Sequence, residues 1–282
     1  MRRKGILVAA AVVLVVVAVP ALADDLGTVG GVHYQSSSIA LDADSGVLST
    51  QLCGQGEKAT GAGFGTVTSS LQPSEVAPFD GDDGDEKPDD MIAVRLLAQA
   101  DDTATFFAIC ADVHVKYVEK AKESASSEVD SVKAKCPSGR HLVGGGGNAG
   151  NKFLGSSFPY DSKDDGNKPD DGWKATAYGV PATTIEAIAV CSEEMPDYDK
   201  VSISLGPSAG NTIGPECDGN SHISALGAQM TGPQEFAELR SLSIQDNNDG
   251  NSVPDDDALV YMVNSPSASD EQTFTGWAVC IG

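Results

Sequence analysis

Residues 172–191, GWKATAYGVPATTIEAIAVC, decide the fold class. Trp173, Ala175 and Ala177 alternate with Lys174, Thr176 and Tyr178. Beyond the break at Pro181-Ala182, Ile185, Ala187 and Ala189 alternate with Glu186, Ile188 and Val190. A period of two marks a strand with one buried face, and the proline supplies a turn, so the stretch reads as the two strands of a hairpin. Its closing triplet occurs three times, as Ala108-Ile109-Cys110, Ala189-Val190-Cys191 and Ala278-Val279-Cys280. The strand pair recurs with it, as Met91 to Leu97 with Phe106 to Cys110 and as Ala258 to Val263 with Phe274 to Cys280.

Outward from these triplets the chain is periodic, at about 82 residues. Each closing cysteine has an earlier companion, Cys53, Cys136 or Cys217, and eight residues after that companion come Gly61-Ala62-Gly63, Gly144-Gly145-Gly146 and Ala225-Leu226-Gly227. Short alternating or β-branched runs broken by Gly, Pro, Asn and Asp fill the rest. The fold class is therefore all-β, in three repeats spanning residues 24–111, 112–194 and 195–282. No Pro/Ser-rich linker separates them, which favours one pseudo-threefold, β-prism-like body over three small sandwiches. Only Val118 to Asp130, VEKAKESASSEVD, has helix-forming composition, and it reads as a polar connection.

The chain opens with Arg2, Arg3 and Lys4, an apolar run from Ile6 to Val19, and the small-residue pattern Ala21-Leu22-Ala23, which together read as a secretory signal peptide over residues 1–23. The apolar run is shorter than the roughly 20 residues a spanning helix needs, so the expectation is a secreted chain with no membrane span after cleavage. In that compartment six cysteines read as three disulfides. Repeat symmetry leaves two natural pairings: Cys53–Cys110, Cys136–Cys191 and Cys217–Cys280 within repeats, or Cys110–Cys136, Cys191–Cys217 and Cys53–Cys280 between them. The first is preferred. Cleavage takes the formal charge from −23 to −26, a field that repels phosphate backbones and disfavours nucleic acid, so the expectation is no nucleic-acid partner. It leaves cations, basic proteins or solvation in a saline exterior.

The middle repeat, with CPSGRHLVGGGG, SFPYD, DDGWKATAY and AIAVC, resembles repeats of secreted bacterial proteins in which a C-P-x-G opening and a glycine run precede a G-W strand and a closing V-C. The resemblance implies export and β-architecture, and brings no assigned activity.

Between two predicted strands of each repeat stands an acidic string, DGDDGDEKPDD, DSKDDGNKPDD or DNNDGNSVPDD. These strings are similar, over about a dozen residues each, to the calcium loops of thrombospondin type 3 repeats and dockerins. A hard divalent cation takes six to eight oxygens, and Asp and Asn spaced around a Gly let the chain curl so that they converge. The candidate calcium ligands are Asp80, Asp82, Asp83, Asp85, Asp89 and Asp90; Asp161, Asp165, Asn167, Asp170 and Asp171; and Asp246, Asn248, Asp249, Asn251, Asp255 and Asp256. The competing reading is a solvated hairpin tip, since Asp, Asn, Gly and Pro are turn formers.

Elsewhere the chemistry is sparse. His33, His114, His141 and His222 lack zinc spacing, and His141 and His222 share with Lys58 the position five residues after a repeat's first cysteine. The glycine runs lack the Gly-Lys-Ser/Thr of a phosphate loop and read as close strand packing or bulges. Phe79, Tyr160, Trp173 and Trp277 suit either a core or sugar stacking. Three functions remain: a non-enzymatic surface or binding protein with a carbohydrate or basic protein ligand, an extracellular polysaccharide hydrolase or lyase using loop carboxylates, and a structural envelope or matrix protein.

Overall fold

The computed structural model describes residues 17–18, 24–66, 71–80, 88–126, 129–162, 168–231, 237–245, 257–264 and 270–282. Two strands, β1 (Val17–Ala18) and β2 (Asp24–Val29), precede three sets of six. The first set is β3 (Val32–Leu41), β4 (Gly46–Leu52), β5 (Lys58–Thr66), β6 (Leu71–Phe79), β7 (Met91–Ala98) and β8 (Asp102–Ala111). The second is β9 (Val115–Ser124), β10 (Asp130–Lys135), β11 (His141–Asn148), β12 (Phe153–Tyr160), β13 (Gly172–Tyr178) and β14 (Thr183–Ser192). The third is β15 (Asp197–Leu205), β16 (Gly210–Ile213), β17 (His222–Thr231), β18 (Ala237–Gln245), β19 (Asp257–Asn264) and β20 (Gln272–Ile281).

The strands form three sheets, and each sheet is assembled from two neighbouring sets. The first has the order β1-β4-β7-β6-β11-β14-β9, the second β10-β13-β12-β17-β20-β15, and the third β16-β19-β18-β5-β8-β3-β2. A set therefore gives three strands to one sheet and three to the next. The sets meet at three seams in corresponding register, Val76 with Gly147, Ser157 with Ala228 and Leu242 with Phe64. The last seam joins the third set back to the first. One continuous hydrophobic cluster, from Val32 to Ile281, draws on all three sets.

This exchange corrects the hairpin expected at residues 172–191. β13 pairs with β10 and β12 in the second sheet, whereas β14 pairs with β11 and β9 in the first. Each strand turns one face to the core, and β14 is buried on both faces from Ala187 to Ser192. Residues 179–182 carry the chain from one sheet to another rather than reversing it within one. The true hairpins are β6–β7, β12–β13 and β18–β19, and the acidic strings connect their strands. Val118 to Asp130 is also corrected: most of it lies in β9, an edge strand paired along its length with β14. Its exposed Lys116, Glu119, Lys120, Lys122 and Glu123 suit such an edge, where charge discourages further strand addition.

Three disulfides close the sets on themselves, Cys53–Cys110, Cys136–Cys191 and Cys217–Cys280, each with a Cα–Cα distance of 5.7 Å. Cys53 follows β4 of the first sheet and Cys110 lies in β8 of the third, so the bridge ties two sheets, and the other two bridges do the same.

The glycine-rich strands β5, β11 and β17 approach one another where the sets converge. Each carries a register shift there, at Ala59/Gly61, Leu142/Gly144 and Ile223/Ala225. A Cβ on Gly144 would lie 2.1 Å from the Thr60 carbonyl oxygen, and one on Gly61 2.6 Å from that of Ser224. The glycines are thus required by close backbone approach. Three tyrosine hydroxyls lock the same region: Tyr34 donates to Ile223 O at 2.7 Å, Tyr117 to Ala59 O at 2.8 Å and Tyr198 to Leu142 O at 2.6 Å. Each reaches from one set into another, and each stands nineteen residues before its set's first cysteine.

Candidate functional site

The Pro-Asp-Asp ends of the first two acidic strings are clamps. Asp89 places its carboxylate 2.6 Å from Lys58 Nζ, and Asp170 places its own 2.9 Å from His141 Nδ1, so the shared position after the first cysteine holds a partner for the loop. The backbone repeats the tie: Cys53 N donates to Asp90 O at 2.9 Å, and Cys136 N to Asp171 O at 2.7 Å. Asp171 accepts from Ser162 N at 2.5 Å and pairs with Lys135 at 3.1 Å. Burial alone would raise its pKa, but these donors outweigh it and hold the carboxyl below the ordinary value. Asp80 and Asp161 line concavities described below. Asp82, Asp83, Asp85, Asp165, Asn167, Asp246, Asn248, Asp249, Asn251, Asp255 and Asp256 lie outside the described residues. Among the described residues no group of three or more His, Cys, Asp or Glu side chains is arranged to hold a metal ion.

The outer faces of the three sheets are more informative. At each seam the same backbone positions form a row across the sheet, and the side chains on it differ. In the second sheet the pairings Lys133 with Lys174, Lys174 with Phe158, Gly227 with Trp277 and Trp277 with Lys200 give the row Lys133, Lys174, Phe158, Gly227, Trp277, Lys200. The corresponding row of the first sheet is Thr50, Ala93, Ala77, Gly146, Ile188, Glu119. In the third it runs through Leu259, Ser243, Gly63, Phe107 and Ser36.

A concavity lies over each seam. That on the second sheet, about 350 Å³, is floored by Phe158, Tyr160 and Trp277, which form an apolar cluster separate from the core. Three ammonium groups stand over these rings: Lys133 Nζ 4.6 Å from the Tyr160 centroid, Lys174 Nζ 5.6 Å from that of Phe158 and Lys200 Nζ 5.1 Å from that of Trp277. Such cation–π contacts steady long side chains that would otherwise roam. Gln229 and Asp161 complete the rim. Lys133 and Lys200 pair with no carboxylate among the described residues.

The first sheet's concavity, about 220 Å³, is acidic, with Glu75, Glu119 and Glu186 beside Phe79 and Asn148. Burial pushes all three glutamates above their ordinary range; Asp80 adds to the effect at Glu119, and Glu119 and Glu75 add to it at Glu186. Arg95, 3.4 Å from Glu75, partly offsets the rise there. The third sheet's concavity, about 300 Å³, is lined by neutral groups including Ser241, Ser243, Gln245 and Tyr261.

Of the four aromatic residues singled out in the sequence, Trp173 is fully buried and donates from Nε1 to Ser157 Oγ at 2.7 Å. It belongs to the core. Tyr160 and Trp277 face the basic concavity, and Phe79 the acidic one. Sequence reasoning missed Lys133, Lys174, Lys200 and Phe158. The available signal was parity: Lys174 alternates with the buried Trp173 and so faces outward. No protein-family model and no curated protein matches this chain.

Proposed function

We propose that this chain is an exported, non-enzymatic binding protein whose ligand is held over the seam of the second sheet. The observation that carries the reading is the row Lys133, Lys174, Phe158, Gly227, Trp277, Lys200. The other two seams are built on the same register with neither lysines nor this set of rings, so the fold does not require them there. Three internal disulfides suit an oxidising exterior, where such a protein would meet its ligand. Among the described residues no helix is long and apolar enough to cross a membrane. The −23 charge supports solubility while making a cationic concavity on this surface a local exception.

One observation favours a second reading, a polysaccharide hydrolase. Glu119 and Glu186 lie on adjacent strands, two positions apart in register and with raised pKa values, and this arrangement occurs at one seam alone among those described. A single assay separates the readings. The oxidised protein is passed over immobilised acidic and neutral polysaccharides, and the eluate is tested for new reducing ends. Retention without new reducing ends is the expected result. Reducing ends that vanish in Glu119→Gln or Glu186→Gln would replace the binding reading with the enzymatic one.

A further inference from the structure

Resting on the second sheet's seam as the binding face, we propose that its ligand is an acidic saccharide. Its carboxylate or sulfate groups meet Lys133, Lys174 and Lys200, and its ring packs against Phe158, Tyr160 and Trp277.

The sheet itself points to an anion. Lys133 and Lys174 are direct cross-strand partners. Lys133 at one end of the row and Lys200 at the other pair with no carboxylate among the described residues, so two ammonium charges on this face are available to an anion. The ammonium groups are already gathered over the rings, so little side-chain freedom remains to be lost on binding. Attraction by overall charge is excluded as the source of selectivity, because the molecule carries 41 acidic against 18 basic side chains. An anion must therefore be recognised locally.

Two features separate a saccharide from a bare anion. Trp277 is 8 % exposed, and its Nε1–H is buried with no acceptor among the described residues. An unpaired buried donor is costly, and a ligand hydroxyl or carboxylate oxygen that displaces the groups covering it would satisfy it. The rim also offers Gln229 and the carboxylate of Asp161, which accept hydroxyl donors and repel a compact polyanion. Hydroxyls, spaced charges and apolar ring faces occur together in uronate-type sugars. A smaller concavity of about 140 Å³ shares Pro169, Lys200 and Trp277 with the main one, so the groove extends past a single ring unit.

The test is calorimetric titration of the full oxidised protein with tri-galacturonate, maltotriose and poly-glutamate, with tryptophan fluorescence recorded in parallel. The expected result is saturable binding of tri-galacturonate that perturbs the indole emission, weakens as NaCl is raised, and is lost by about tenfold or more in Lys133→Gln, Lys174→Gln and Lys200→Gln. Lys120→Gln, on the β9 edge, should bind as the parent does. Equal affinity for maltotriose would overturn the acidic class while leaving a saccharide-binding seam. Equal affinity for poly-glutamate with silent tryptophan emission would reduce the site to a charge patch. Absence of tri-galacturonate binding would overturn the inference, leaving the binding reading to the retention assay.

Discussion

Removing one tyrosine hydroxyl tests the interlock between sets. In Tyr117→Phe the ring stays and the 2.8 Å bond to Ala59 O is lost. Burial first, and Asp89 and Asp90 next, push the Tyr117 pKa far above the ordinary phenol value, so the hydroxyl stays protonated and donating. The bond is part-buried, but Ala59 is 0 % exposed, so deleting the donor leaves a buried carbonyl without compensation, at a cost of about 1–3 kcal/mol. In a body of this size each kcal/mol lowers the thermal midpoint by about 2–4 °C, so the variant should melt roughly 2–12 °C below the parent. Tyr198→Phe breaks the corresponding 2.6 Å bond to Leu142 O and should fall in the same range. Tyr160→Phe is the control, because no hydrogen bond of its hydroxyl is present among the described residues; it should stay within about 0.5 kcal/mol. Scanning calorimetry of the oxidised proteins reads all three. If Tyr117→Phe and Tyr198→Phe melt with the parent, or if Tyr160→Phe falls as far, the hydroxyls do not hold the sets together and the reasoning fails.

Other expectations follow from the same geometry. Gly144→Ala sets a methyl against the Thr60 carbonyl and should cost about 1–3 kcal/mol or more, whereas Gly206→Ala, with nothing within 4 Å, should be nearly silent in urea unfolding. Replacing Cys136 and Cys191 together by Ala frees a 55-residue loop and should cost about 4 kcal/mol in the chain-entropy model, read as a lower urea midpoint. Stability should also depend on pH with two opposed limbs. Glu75, Glu119 and Glu186 have folded values raised above 4.5, so their contribution is fully present below 4.5 and is lost as pH rises through the folded values. Asp130 and Asp171 have values lowered below 3.8, so their contribution is present above 3.8 and is lost as pH falls through them. The thermal midpoint should therefore rise from neutral pH toward about 4.5 and fall below about 3.8, with Glu186→Gln flattening the first limb; a midpoint that declines steadily from neutral pH downward would contradict these assignments.

The sequence states class and period clearly because both rest on local signals. Alternation at Trp173, Ala175 and Ala177 needs no partner to be read, and the cysteine spacing narrows the disulfides to two symmetric pairings, of which the one within sets is present. Which strand pairs with which is a different kind of information. β13 and β14 are contiguous and alternate as a hairpin would, yet they enter different sheets, because the choice is made by a core to which all three sets contribute. The polar β9 was hidden for a related reason, since an edge strand needs only its pairing with β14 and can carry Lys and Glu throughout. The tyrosines at 34, 117 and 198 were legible in principle from their equal distance to Cys53, Cys136 and Cys217. Their role was not, because each hydroxyl acts on a carbonyl in another set. The lysine–aromatic concavity was hidden likewise, for Lys133 and Lys174 are forty-one residues apart and meet only through strand register.

Hydrogen exchange of the full oxidised protein, with and without saturating tri-galacturonate, tests most directly the claim that three similarly built seams carry one binding site. The account predicts slowed exchange confined to the second sheet, along β10, β13, β12, β17, β20 and β15. Equal protection of the seams at Val76–Gly147 and Leu242–Phe64, or protection that spares the second sheet, would contradict it.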